Sequence, residues 1–276
     1  MKTVVVTSFD SNYLQYSYVF VKTLSENYHG DKKLDLYCLV PEDVLSMESK
    51  FVENLGDVSN LNVKFVCSDK FSRFSTNEKV RGSEWISKNA WHRIFIPSVC
   101  NDFDRAIYID SDTMIMRDID PLINFNLTNK FAAFIENNFN SADRVFGNPD
   151  QIYFNAGVFV ADLNYWRSLN LEEKIMNDVL DGGVTLMLEQ DRLNLAFNNV
   201  FQPLPITFNY PAYYEDSWQV AITNPLVVHF FGPNKPWKYS DTTLPLALKW
   251  RTKHYMITKI QLEQTESYYA KGEIHD

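Results

Sequence analysis

The chain has 276 residues, 45% of them hydrophobic, enough for one large domain with a full core. Its 35 acidic against 26 basic side chains leave a formal charge of −9, which argues against a broad basic surface for nucleic acid or anionic lipid. An anionic small substrate would have to be held by a few local cations or by a metal ion, because the net field repels it.

The opening residues carry only the short run Val4 to Val6 before turning polar, without the apolar core of about 7–15 residues that marks a secretory signal. No stretch approaches the roughly 20 apolar residues of a membrane span. Cys38, Cys67 and Cys100 are dispersed among apolar neighbours, so the chain reads as a reduced, cytoplasmic protein without a disulfide or zinc framework. Thr3 to Thr7 is a β-branched run and predicts a strand, while Leu14, Tyr18, Val21, Leu24 and Tyr28 recur at helical spacing. Leu34 to Val40, Glu42 to Leu55 and Leu61 to Val66 continue as strand, helix and strand. Ile86, Ala90 and Ile94 place a helix over Ser83 to Ile96, ended by Pro97, and Arg105 to Ile109 is a short buried strand. Repeated βα units of this kind build a mostly parallel sheet covered by helices.

Beyond Asp110 the alternation fails. Phe131 to Ile135 and Gly157 to Leu163 read as strands, the second a candidate for antiparallel pairing. Asn170 as N-cap with Glu173 at N3 opens a helix that Gly182 and Gly183 close. Asn137 to Gln151 and Pro203 to Pro225 lack periodicity and are expected to be functional loops. The tail after Trp250 balances lysines against glutamates on a solvated helix, a weak case for membrane docking.

Four motifs can carry chemistry. Tyr108-Ile-Asp110-Ser-Asp112 sets two carboxylates one residue apart at the C-terminal edge of a strand, the edge where open α/β sheets bind ligands. Two oxygen donors there can chelate a hard divalent cation, which in turn neutralises a diphosphate. A bare D-x-D is also a common solvated turn, as in Asp102-Phe-Asp104 and Asp118-Ile-Asp120, and only the strand context singles out the middle copy. Val227-Val-His229 delivers an imidazole, and the turn Gly232-Pro233 brings Lys235 round, so a metal ligand and a phosphate clamp can face one site. Asn155-Ala-Gly157 offers an amide to a sugar hydroxyl beside backbone that a ligand can approach closely. Glu189-Gln190-Asp191 opens an apolar helix with three polar side chains, an arrangement the helix dipole also favours for purely structural reasons.

Together these elements, from Thr3 to about Trp237, resemble the family 8 glycosyltransferases, the group that includes bacterial lipooligosaccharide α-galactosyltransferases and glycogenin. The resemblance implies the GT-A fold: a single α/β domain with a Rossmann-like, mostly parallel sheet flanked by helices and irregular acceptor-side insertions. That domain would span residues 1–240, with 241–276 as a C-terminal helical extension. It further implies retaining transfer of a hexose, glucose or galactose, from a UDP-sugar to a hydroxyl of a carbohydrate or glycoconjugate, assisted by Mn²⁺ or alternatively Mg²⁺.

Carried over residue by residue, the resemblance makes Asp110, Asp112 and His229 the metal ligands and places Lys235 and Gly232 on the diphosphate. Ser8, Asp10, Asn12 and Tyr13 match the uridine-binding segment, with Tyr13 stacking on the base. Arg93, Asn155, Gly157, Glu189 and Gln190 match the lining of the donor hexose. Glu189 stands where bacterial galactosyltransferases of the family have Asp, which leaves the sugar open. Gln190, beneath the anomeric carbon by family position, and Asp191, the nearest carboxylate by sequence, are the catalytic candidates. An amide is a poor nucleophile, which favours attack from the leaving-group face. Two alternatives stand beside this reading: a glycogenin-like primer accepting glucose on Tyr210, Tyr213 or Tyr214, and a non-catalytic nucleotide-sugar-binding protein.

Overall fold

The β-branched run at Thr3 forms β1 (Thr3–Ser8), and its two-residue period sends Val5 to one face of a sheet and Val4 and Val6 to the other, all completely buried. The computed structural model describes residues 1–67, 88–136, 139–180, 189–212, 223–233, 235–238 and 245–270. Helix α1 (Leu14–Glu26) packs Tyr18, Val21 and Leu24 into the core with Val5. Strand β2 (Leu34–Leu39), helices α2 (Glu42–Leu45) and α3 (Glu48–Leu55), and β3 (Leu61–Val66) follow as expected, except that the predicted single helix is broken at Ser46-Met47.

The predicted helix over Ser83 to Ile96 is replaced, over its described part, by a 3₁₀ segment, Lys88–Phe95, and a short α4 (Ile96–Val99). Pro97 sits in the first turn of α4 instead of ending a helix, a place where a missing N–H breaks no helical hydrogen bond. Strand β4 (Arg105–Ile109) pairs with β1 and is buried along its whole length. The short β5 (Thr113–Ile115) and α5 (Asp120–Ile123) lead to β6 (Phe131–Ile135). Where an irregular loop was expected from Asn137, helix α6 (Phe139–Phe146) forms.

Strand β7 (Phe154–Asp162) starts three residues earlier than predicted, so Asn155-Ala-Gly157 lies inside a strand. It ends one residue sooner because Asp162 caps α7 (Leu163–Ser168) by accepting the Tyr165 N–H. Asn170 adopts a left-handed φ of 49° rather than the extended backbone of an N-cap, yet its amide still meets the Glu173 carboxylate at the start of α8 (Leu171–Leu180). Gly182 and Gly183 lie outside the described residues. Helix α9 (Glu189–Phe197) then packs on β7 through Asn194, whose amide pairs with both the N–H and the carbonyl of Phe154.

The seven-stranded sheet runs β3-β2-β1-β4-β7-β6-β8, with β8 at Phe201–Pro203. Every strand points the same way but β7, which is antiparallel to both β4 and β6. A second sheet joins β5 to β10 (Val227–His229) and β10 to β9 (Tyr210–Pro211). Part of the Pro203 to Pro225 segment is therefore ordered as strand, and Tyr210 is 2% exposed within it. Tyr213 and Tyr214 lie outside the described residues.

The C-terminal helix α10 (Pro245–Ala270) does not stand off in solvent. Leu246, Ala247, Trp250 and Ile257 pack in the same core as α1, and Lys253 reaches Glu26 at 2.7 Å. Its outer face carries the exposed Tyr255, Met256 and Ile260. Among the described residues no helix is long and apolar enough to cross a membrane.

Candidate active site

The sheet order places β2 on one side of β1 and β4 on the other, so the chain leaves β1 and β4 in opposite senses and opens a crevice at their C-terminal ends. Beyond β1 come Phe9 and Asp10. Beyond β4 comes the turn Asp110-Ser111-Asp112, closed by the Thr113 hydroxyl donating to the Asp110 carbonyl at 2.8 Å. That turn feeds β5, and antiparallel pairing sets His229 of β10 directly opposite Thr113. The small sheet thus carries an imidazole to a carboxylate pair 117 residues away in sequence.

One ligand atom each from Asp110, Asp112 and His229 lies within 4.8 Å of the others. His229 Nε2 is 3.2 Å from Asp112 Oδ1 and 3.5 Å from Asp110 Oδ2, and it is buried with no hydrogen-bond partner. Two carboxylates and a buried, orphaned imidazole nitrogen converging on one point fit a divalent cation. Burial alone would raise the Asp112 carboxyl, but the Lys235 ammonium beside it, above all, outweighs burial and holds it well below the usual carboxylate range.

Gly232 has a φ of +84°, the conformation that turns the chain after β10 and that side chains other than glycine's rarely adopt. The turn returns Lys235, 5% exposed, so that its Nζ donates to the Asp112 carboxylate and, at 2.8 Å, to the Phe230 carbonyl. Gly157 has a different reason to be glycine. A Cβ there would overlap the imidazole of His229 and lie 2.8 Å from Asp110 Oδ2. Gly157, expected in the sugar lining, leaves the gap into which the side chains of His229 and Asp110 fit.

Arg93 is the hub of the opposite wall. Its guanidinium donates to the Ala156 carbonyl at 2.8 Å and to Asp110 Oδ1 at 3.0 Å, pairs with Glu189 Oε1 at 3.1 Å, and lies 4.7 Å over the Tyr108 ring. Glu189 is 3% exposed, and its Oε2 has no partner. Burial pushes its carboxyl up to about 7, and Arg93 only partly offsets that. Gln190 Oε1 accepts the Ala156 N–H at 2.9 Å while Nε2 donates to the Tyr153 hydroxyl at 3.0 Å. Asp191 faces elsewhere: its Oδ1 accepts from Tyr153 Oη at 2.7 Å and from Arg144 at 2.9 Å, and it is absent from the pocket lining.

One pocket brings together Ser8, Asp10, Tyr13, Arg93, Asp110, Asp112, Asn155, Glu189, Gln190, His229, Gly232 and Lys235. Of the uridine segment only Asn12 is outside it, exposed in the turn before α1. Tyr13 is braced by Trp237 edge-on at 5.6 Å, and Trp237 stacks on Tyr16 at 4.2 Å, so a planar ring can be held rigidly at this end. Burial pushes the Tyr13 hydroxyl well above its ordinary range. Sequence reasoning missed Glu136, which lines the pocket one residue beyond β6. The rule that flagged Asp110 applies to it too, because β6 runs parallel to β4 and ends at the same sheet edge. It also missed Asn209, buried and 2.8 Å from His229 Nδ1.

The lining holds Asp10, Asp110, Asp112, Glu136 and Glu189 against Arg93 and Lys235. Such a pocket repels a diphosphate unless a divalent cation intervenes, so charge and donor geometry point the same way.

A family model described as Glycosyl transferase family 8 matches residues 4–241. General stress protein A of Bacillus subtilis (strain 168) is 26% identical over 262 residues, covering 87% of this chain and 89% of its own. Galactinol synthase 1 of Solanum lycopersicum is 27% identical over 153 residues, half of this chain and 46% of its own. Among solved structures, the galactosyltransferase LgtC in complex with donor and acceptor sugar analogs superposes with a TM-score of 0.71 at 22% identity, covering 91% of this chain and 95% of that one. That likeness concerns the fold: the same mixed α/β layering around a mostly parallel sheet.

Proposed function

The chain belongs to glycosyl transferase family 8, and from that premise we propose that it transfers a hexose from a UDP-sugar to a hydroxyl of a carbohydrate or glycoconjugate, with retention at the anomeric carbon. The observation that carries this reading is the convergence of Asp110, Asp112 and the unpartnered His229 Nε2 in a pocket that also presents Lys235. Asp110, Asp112 and His229 would hold Mn²⁺, or Mg²⁺ in its place, and the bound ion would supply Lewis-acid neutralisation of the diphosphate.

The residues of the chain divide the remaining work. Tyr13, backed by Trp237 and Tyr16, stacks on the uracil, and Asp10 and Ser8 meet its polar edge and ribose. As the bond between C1 and the β-phosphate oxygen breaks, negative charge grows on the departing UDP, and Lys235 Nζ stabilises it most in the transition state. Arg93 fixes Asp110 and Glu189 in register, and Glu189 Oε2 takes a hexose hydroxyl. Gln190 presents its amide under the reacting carbon with an orientation set by Ala156 and Tyr153.

Asp191 is committed to Tyr153 and Arg144, which favours same-face attack over a covalent carboxylate intermediate. The acceptor oxygen forms its bond to C1 on the face UDP is leaving, and its proton passes to the β-phosphate oxygen released there.

The test is incubation with UDP-glucose or UDP-galactose, Mn²⁺ and a panel of mono- and disaccharide acceptors, reading UDP release and the product anomer by NMR. The proposal expects an α-linked product from one of the donors, lost in Asp112→Asn. An inverted product, or full turnover in Asp112→Asn, overturns it.

A further inference from the structure

We propose that Asn209 and Asn155 form an amide relay that fixes which nitrogen of His229 carries its proton, making Asn209 a positioning residue for the metal site. The inference rests on reading Asp110, Asp112 and His229 as metal ligands. The relay starts at a group whose polarity admits no choice, the backbone N–H of Gly157. It donates to Asn155 Oδ1 at 2.9 Å, so the amide oxygen of Asn155 faces that side and its Nδ2 faces Glu136 Oε2, 3.3 Å away. The second lone pair of Asn155 Oδ1 meets the Asn209 amide at 2.9 Å, and an oxygen can only accept, so the group facing it is Asn209 Nδ2. Asn209 therefore turns its Oδ1 toward His229 Nδ1 at 2.8 Å. That oxygen too can only accept, so Nδ1 carries a proton, and the neutral ring keeps its lone pair on Nε2.

Nε2 is the atom that faces Asp110 and Asp112 and has no hydrogen-bond partner. Asn209 is fully buried, which leaves no water to replace a lost bond if its amide flips. A flip would set donor against donor or acceptor against acceptor at both ends. The relay thus presets the ring in the tautomer a metal needs before any metal arrives, the part an outer hydrogen-bond partner plays for a ligating histidine. Gly157 serves twice, anchoring the relay through its N–H and leaving room for the ring it orients. Asn155, expected as a sugar contact, has both oxygen lone pairs engaged within the protein.

The decisive experiment is long-range ¹H–¹⁵N NMR of the histidine rings in full-length, metal-free protein at about pH 8, with His229 identified by its absence in His229→Gln. The wild type should show the proton on Nδ1. Asn209→Leu should lose that preference and bind Mn²⁺, read by EPR of the free ion, about 10–100-fold more weakly. Asn209→Asp keeps an acceptor toward Nδ1, so it should keep the proton on that nitrogen, although its second oxygen now faces Asn155 Oδ1.

A wild-type proton on Nε2 overturns the relay outright, whether or not the leucine variant folds. Unchanged Mn²⁺ affinity in folded Asn209→Leu, or loss of the Nδ1 proton in Asn209→Asp, also overturns it. Failure of the wild type to bind Mn²⁺ at all strikes the metal reading instead, while the tautomer still decides whether the relay exists.

Discussion

Replacing Glu189 with glutamine should change how stability depends on pH, and by a predictable amount. The carboxyl is 3% exposed, with Oε1 3.1 Å from Arg93 Nε and Oε2 without a partner. Burial raises it from its ordinary 4.5 to about 7 in spite of the arginine. Between those values the native state binds more protons than the unfolded one, so the stability that this proton uptake contributes falls as pH rises through that window and is gone above it. At about 1.4 kcal/mol per pH unit the whole penalty is roughly 3 kcal/mol, most of which falls between pH 5 and pH 8.

Glutamine keeps the shape and has no proton to lose. Urea unfolding of metal-free protein at those two pH values should therefore show wild type losing roughly 2–3 kcal/mol more than Glu189→Gln. The absolute stability of the variant is immaterial, because removing a partner from Arg93 acts at both pH values. If the two proteins lose the same stability to within about 0.5 kcal/mol, the buried, unsatisfied carboxyl is not what the structure suggests.

Three further substitutions probe separate parts of the account. Tyr153→Phe removes the hydroxyl shared by Gln190 Nε2 and Asp191 Oδ1, and should cost about 1–3 kcal/mol in urea unfolding and lower kcat more than it raises KM; wild-type turnover would detach that network from catalysis. Gly157→Ala places a methyl on the His229 ring and should weaken Mn²⁺ binding by at least about tenfold, measured by EPR, whereas unchanged affinity would mean the ring has room to move. Trp250→Ala should cost about 3–5 kcal/mol, because this 1%-exposed side chain ties α10 to the core; a loss under about 1 kcal/mol would make the helix a detachable appendage.

The parallel half of the sheet was legible because its strands are short apolar runs, β1 and β4 buried on both faces and β2 and β3 alternating, set between helices with a clear apolar stripe. The Asp110-Ser111-Asp112 turn was legible because the C-terminal edge of a strand is where such sheets bind ligands. Lys88–Phe95 misled because the four-residue spacing of Ile86, Ala90 and Ile94 reads as an α-helix, while over so short a stretch it does not separate that helix from a 3₁₀ segment. Helix α6 was hidden among polar residues, and the two-residue β9 is too short to leave a pattern.

Asp110, Asp112, His229 and Lys235 could be named from motifs and Arg93 from the family resemblance, but the contacts that orient them could not. Asn209 meets Asn155 across 54 residues and His229 across 20, and neither spacing is a signal. Asp191 was assigned to the chemistry because it follows Gln190, yet one residue along a helix turns a side chain by about 100°, here onto Tyr153 and Arg144.

The central claim is that this pocket holds a uridine diphosphate through a metal bound by Asp110, Asp112 and His229. Calorimetric titration with UDP, once in Mn²⁺ and once in EDTA, tests it without an acceptor being known. Saturable binding in Mn²⁺ that vanishes in EDTA and in Asp112→Asn is the expected result. Equal binding in Mn²⁺ and in EDTA, or no binding in either, would contradict the assignment.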